Sequence, residues 1–69
     1  MERRSVVSSN IRSIGYDAEE MLLEVEFRSG IYQYHSVPEF VFSDFVQAPS
    51  HGRYFAEAIR DRYAFTRIG

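Results

Sequence analysis

Apolar and polar residues alternate through Met21–Ser36, and that alternation predicts a β-hairpin around which the other elements are arranged. On the first arm Met21, Leu23, Val25 and Phe27 share one face, while Leu22, Glu24, Glu26 and Arg28 share the other. On the second arm Tyr32 and Tyr34 lie on one face, with Ile31, Gln33 and His35 opposite. A two-residue turn at Ser29-Gly30 would set Arg28 against Ile31, Phe27 against Tyr32 and Val25 against Tyr34. Glu24 would then face His35 on the wet side. A bulged turn with Gly30 left-handed would instead pair Phe27 with Ile31 and swing both tyrosines to solvent, because a one-residue slip inverts the side-chain set. The first register is preferred, since it leaves one face consistently apolar and the other consistently polar. It makes the tyrosines core residues whose hydroxyls reach the rim.

The flanking segments follow by the same reasoning. Met1–Arg4 reads as a frayed end and Ser5–Asn10 as an extended lead-in. Ile11–Asp17 reads as a strand with Ile14 and Tyr16 on one face, and Gly15 inside it marks a bulge or a close backbone approach. Asp17–Glu20 turns into the hairpin, which completes a three-stranded antiparallel meander. The period then changes. Val37-Pro38-Glu39 starts a helix, with Pro at the first helical position and an acid in the first turn. Its inward stripe is Phe42, Phe45 and Val46, flanked by Val41, and Ala48-Pro49 ends it. Ser50 caps a second helix whose stripe is Tyr54, Phe55, Ala58, Ile59 and Arg62. On its outer face Arg53 and Glu57 stand one helical turn apart. Tyr63, Phe65 and Arg67 alternate in the tail, as either a short C-terminal strand or an ordered extended segment. Strands first and helices after give an α+β fold, one domain over residues 1–69 with 1–5 frayed, both helices on one sheet face.

Size constrains this picture. A 69-residue chain buries only about 60% of its unfolded surface, so the core has to be dense. Hydrophobic residues make up 45% and aromatic residues 16%, enough to fill one. There is no cysteine, which removes disulfides and thiolate metal sites. No apolar run approaches the roughly 20 residues of a membrane span, and MERRSVVSSN has no signal-length apolar stretch, so a cytoplasmic protein without membrane partners is expected.

The net charge of −2 is uneven. Residues 1–49 carry four arginines against eight acids, a balance of −4, and residues 50–69 carry four arginines against Glu57 and Asp61, a balance of +2. All eight basic residues are arginine, the cation better suited to phosphate and base recognition. The overall acidity argues against a general nucleic-acid binder and leaves room for a small basic patch near the C-terminus.

Catalytic chemistry finds little support. His35 and His51 fall in different elements without a cluster of partners, so no metal is expected. Ser50-His51 has no evident carboxylate to orient it as a nucleophilic pair. Phosphate-loop and dinucleotide fingerprints are absent, and a non-enzyme without cofactor is expected. The most specific local feature is Ser50-His51-Gly52-Arg53 at a helix start. It reads either as a phosphate-binding notch or as a capped helix whose glycine packs tightly under the sheet, and the second reading takes precedence.

The assembled pattern resembles the KTSC domain, a module found at the C-terminus of some lysyl-tRNA synthetases and as a stand-alone small bacterial protein. The matching residues are Val7-x-Ser9 with Ile11, Ile14-Gly15-Tyr16-Asp17, and Leu23-x-Val25-x-Phe27-x-x-Gly30. They continue through Tyr32-x-Tyr34, Val37-Pro38, Ser50-x-Gly52-x-Tyr54-Phe55 and Ile59-Arg60-x-Arg62-Tyr63. Pro49, immediately before Ser50, is a departure that would tighten the corner between the helices. The resemblance implies a family of unknown role for which RNA binding is suggested by the synthetase fusions.

Two functions of different class follow. One is an RNA- or nucleic-acid-binding module in which Arg53, Arg60, Arg62 and Arg67 meet phosphates. His51 and the helix start at Ser50–Gly52 assist, and Tyr32 and Tyr34 join where exposed. The other is a protein-interaction or dimerisation module using the uncovered sheet face or its edge. There Leu22 and Ile31 are the apolar points, and Glu24 and Glu26 repel nucleic acid.

Overall fold

A computed structural model describes all 69 residues, Met1–Gly69. The chain folds as an antiparallel sheet in strict sequence order, β1 Arg3–Ser5, β2 Ile11–Asp17, β3 Leu22–Phe27, β4 Gly30–Tyr34 and β5 Phe65–Arg67. Between β4 and β5 run α1, Glu39–Gln47, and α2, His51–Tyr54, which continues into a π-helical turn over Phe55–Ile59. The fold is α+β as expected, but the sheet has five strands where the pattern predicts three and a choice for the tail. Both additions are three-residue edge strands, too short to show alternation. Arg3–Ser5, read as fraying, pairs with Ser13–Gly15, and Phe65–Arg67 pairs with Tyr32–Tyr34.

The hairpin register differs from the expected one by two residues. Leu23 faces Tyr34, Val25 faces Tyr32 and Phe27 faces Gly30, so the loop is Arg28-Ser29 rather than Ser29-Gly30. A shift of two preserves parity, so the paired residues of β3 and β4 keep their expected faces. Tyr34 is accordingly buried and Tyr32 half-buried on the apolar side. The cause lies outside the hairpin. The Arg28 amide donates to the Asn10 carbonyl at 3.0 Å and its Nε to the Ser9 carbonyl at 2.9 Å, which ties Arg28 to the β2 side. Neither Arg28 nor Ser29 takes a positive φ. That conformation falls on Gly30 at +157°, where a Cβ would also meet the Gly69 carbonyl at 2.7 Å. Met21, expected on the inward face, is instead a left-handed turn residue before β3 and is exposed.

In β2 a bulge between Ile11 and Ser13 lets residues three apart share a face, so Ile11 and Ile14 are both buried. Gly15 answers the expectation of a close approach. It sits between Arg3 of β1 and Glu24 of β3, and a Cβ there would lie 2.7 Å from Arg3 Cγ and 2.8 Å from the Glu2 carbonyl oxygen. The empty position lets the Arg3 guanidinium cross the strand and donate to Glu24 Oε2 at 2.8 Å. Gln33 Nε2 donates to the other Glu24 oxygen at 2.9 Å, and Ser13 Oγ to Glu26 Oε1 at 2.9 Å. Gln33, not His35, is therefore the neighbour of Glu24. His35 Nε2 instead meets Thr66 Oγ1 at 2.9 Å. Leu22 and Ile31 on this polar face are half-buried.

Both helices cover the apolar face. Pro38 occupies the capping position of α1 rather than its first turn, and its carbonyl accepts from the Val41 amide at 3.0 Å. The buried stripe of α1 is Val41 and Phe45, with Phe42 and Val46 half-buried, so the helix is rolled from the expected axis. The stack of Phe42 on Tyr16, with centroids 5.1 Å apart, accounts for part of this roll, because it holds Phe42 at the sheet margin. Phe40 lies 66% exposed. Phe45 is fully buried and stacked on Tyr54 at 5.6 Å. From the second helix Phe55 and Ile59 complete the core.

Candidate functional site

Five aromatic rings converge where β3, β4 and β5 meet the π-helical turn. Tyr32 and Tyr34 reach this place because they alternate with Ile31 and Gln33, and β5 brings Phe65 directly opposite Tyr34. Phe65 packs between the two tyrosines, its ring centroid 5.7 Å from each. Phe55 meets Tyr34 edge-on at 5.5 Å and Phe27 at 5.0 Å, and Phe27 meets Tyr32 at 5.6 Å. The rings line an open groove of about 350 Å³ together with Ser29, Arg60 and Asp61. Phe65 remains 59% exposed despite its three-residue strand.

Two guanidinium groups frame the rings. Arg60 lies over Phe55 at 5.6 Å and Arg67 over Tyr32 at 5.7 Å, distances at which a cation is attracted to a ring face. The π-helical turn determines where Arg60 goes. Its amide donates five residues back to the Phe55 carbonyl at 2.9 Å, and the chain then leaves the helix in an extended conformation. Single π turns of this kind are frequent at functional sites. Asp61 follows in the left-handed region with φ of +64°. Arg67 is held by two carbonyls, Nε donating to Gly69 at 2.8 Å and Nη2 to Ser29 at 2.7 Å. Burial raises the Tyr34 pKa above its ordinary value, with Tyr32 adding to the rise and Arg60 opposing it. The phenol is therefore neutral at physiological pH, a hydrogen-bonding group rather than a charge.

Of the residues singled out by sequence, Tyr32, Tyr34, Arg60 and Arg67 come together here. Arg62 lines the adjoining depression with Arg60 and Asp61, and its Nε donates to the Glu57 carbonyl at 3.2 Å. Ser50, His51, Gly52 and Arg53 lie outside the groove lining. The Ser50 hydroxyl caps the helix by accepting from the Arg53 amide at 3.3 Å, and Arg53 pairs with Glu57 at 3.3 Å. His51 Nε2 lies 3.3 Å from the Val46 carbonyl. Gly52 does not pack under the sheet as expected, since a Cβ there would meet nothing within 4 Å. Sequence reasoning missed Phe27, Phe55, Phe65 and Asp61 as groove residues. The parity of Phe65 with Arg67 was the available signal for one of them. Asp61 carries no pattern at all.

No group of three or more histidines and carboxylates gathers as a metal set, and no helix is long and apolar enough to cross a membrane.

Comparison with known proteins places this geometry in a family. Residues 7–63 match the KTSC domain model. The chain is 43% identical over 70 residues to an uncharacterised protein of Stutzerimonas stutzeri, covering 99% of both. It is 34% identical over 61 residues to a lysine–tRNA ligase of Nostoc punctiforme, matching 87% of this chain and 11% of that enzyme. The crystal structure of a KTSC domain protein from Yersinia pestis superposes with a TM-score of 0.97 at 43% identity, covering 99% of this chain and 97% of that one.

Proposed function

The chain belongs to the KTSC domain family, and from its own geometry we propose that it is a non-enzymatic module that binds single-stranded RNA in the aromatic groove. The observation that carries this reading is the pairing of rings with cations. Phe65 offers a largely exposed ring at the groove, and Arg60 and Arg67 stand over the adjacent Phe55 and Tyr32 rings. A base stacks on such a ring for about 1–3 kcal/mol, while the guanidiniums meet the flanking phosphates. Duplex RNA hides its base faces within the stack, so an open ring platform selects unpaired nucleotides. The charge distribution agrees with this, because the Glu24 and Glu26 carboxylates lie on the opposite sheet face and take internal hydrogen bonds there. The lysine–tRNA ligase relative, whose name implies a tRNA substrate for that enzyme, adds support from a second direction.

Fluorescence anisotropy with a labelled unstructured RNA, repeated across a salt series, tests the reading. Engagement of three phosphates by Arg60, Arg62 and Arg67 gives a log–log salt slope of about −2, since each phosphate on a single strand contributes roughly −0.7. Arg60→Ala should reduce that slope by about a third, and Phe65→Ala should weaken binding with the slope unchanged. Absence of binding at high micromolar protein in low salt, or binding indifferent to salt, would refute the proposal.

A further inference from the structure

Asp61 is the one carboxylate that lines the aromatic groove, and it is poorly explained by the fold. The chain has two ion pairs, Arg3–Glu24 and Arg53–Glu57, and neither includes Asp61, although Arg60 and Arg62 are its immediate neighbours. Its side chain is exposed and also lines the adjoining depression with both arginines. Its backbone is left-handed at φ +64°, a conformation that glycine adopts at no steric cost and asparagine as readily as aspartate. Neither the helix end nor the core therefore requires an acid there. A negative charge beside a phosphate-binding groove weakens binding unless it contacts the ligand by another chemistry.

We propose that Asp61 reads the base held in the groove by accepting hydrogen bonds from its Watson–Crick edge, and that it selects guanine. This rests on the single-stranded RNA reading above. A carboxylate is an acceptor with two oxygens, and guanine presents two adjacent donors, N1–H and the N2 amino group, in one plane. Uracil presents a single donor, N3–H, between two carbonyls that an ionised carboxylate repels. The groove supplies the remaining elements, rings for the base face and Arg60 beside Asp61 for the phosphate, in an open volume of about 350 Å³ with ample room for a base.

The test compares oligonucleotides that differ at one central guanine, adenine, cytosine or uracil in an otherwise uniform unstructured strand, with wild-type protein and Asp61→Asn. Asparagine keeps the left-handed backbone and the shape, and it removes the charge. Wild-type protein should favour the guanine strand over the uracil strand by about tenfold, the discrimination expected of one paired contact to a base edge. Asp61→Asn should level that preference, because one of the two acceptors for guanine is lost and the carboxylate's repulsion of the uracil carbonyls is relieved. Asp61→Gly serves as a second variant that suits the same backbone and should likewise lose the preference. Equal binding of all four strands by the wild type, or a guanine preference that survives in Asp61→Asn, overturns this inference and leaves the RNA reading standing. Failure of every strand to bind overturns both.

Discussion

Replacing Gly15 with alanine sets two effects of opposite sign against each other. Glycine inside a strand costs roughly 0.5–1 kcal/mol relative to alanine, because it loses more conformational freedom on folding. Gly15 has no positive φ that would forbid a side chain, so propensity alone makes Gly15→Ala stabilising. Space argues the other way. The new methyl group would stand 2.7 Å from Arg3 Cγ and 2.8 Å from the Glu2 carbonyl oxygen. The Arg3 side chain can swing aside, but only by leaving Glu24, its partner at 2.8 Å. The Glu2 carbonyl is backbone and moves only if β1 moves. Overpacking of this kind costs about 1–3 kcal/mol, so after the propensity gain the variant should be less stable by about 1–2 kcal/mol. Partial detachment of the three-residue β1 limits the loss.

Urea denaturation measures the stability directly. With a slope of about 1 kcal/mol per molar for so small a domain, the midpoint should fall by roughly 1–2 M. Amide exchange at Val6, whose N–H donates to the Arg12 carbonyl at 3.1 Å beside β1, should accelerate in step. The double variant Arg3→Ala, Gly15→Ala separates the two clashes, because contacts that share a site do not add. If the Arg3 side chain is the obstacle, the double variant recovers stability. If the Glu2 backbone is, it does not. A Gly15→Ala protein as stable as the parent, with Val6 equally protected, would show that the Gly15–β1 packing does not decide the sign.

Two of the three phenylalanines of α1 should respond very differently. Phe45→Ala removes a fully buried ring stacked on Tyr54 and should cost about 3–5 kcal/mol, a large part of the roughly 3–10 kcal/mol available to a domain of this length. Phe40→Ala, at a mostly exposed position, should stay within about 0.5 kcal/mol, and thermal melts of the pair compare them. Burial raises the pKa of Tyr34, Tyr16 and Tyr54 above the ordinary 10.0, so the folded state favours their neutral forms. The stability this contributes is complete below the unfolded value and is lost as pH rises through the folded ones. Phenolate absorbance should therefore show a late phase above the ordinary value, and Tyr34→Phe should remove part of it.

Much of this architecture is legible in the residues by themselves. Alternation in Met21–Ser36 assigns the faces of β3 and β4, because side-chain direction in a strand depends only on parity. The Ser50 cap and the strand at Ile11–Asp17 are equally local, since each rests on neighbours a few residues away. The spacing of Arg53 and Glu57 gives their pair for the same reason. Other features depended on contacts between distant segments. The two-residue shift of the hairpin comes from the bonds of Arg28 to Ser9 and Asn10, which no turn propensity contains. The edge strand at Arg3–Ser5 exists because β2 offers it unpaired backbone and an empty position at Gly15, while three residues are too few to show a period. The groove is more strongly tertiary. Phe27, Tyr32, Phe55 and Phe65 come from four separate elements, and a π turn with a left-handed Asp61 directs Arg60 toward them. Residue type and spacing decided which faces are apolar, because both act through the local backbone. Only the tertiary fold could decide which rings and charges share a groove, because that depends on how the strands register and how the second helix ends.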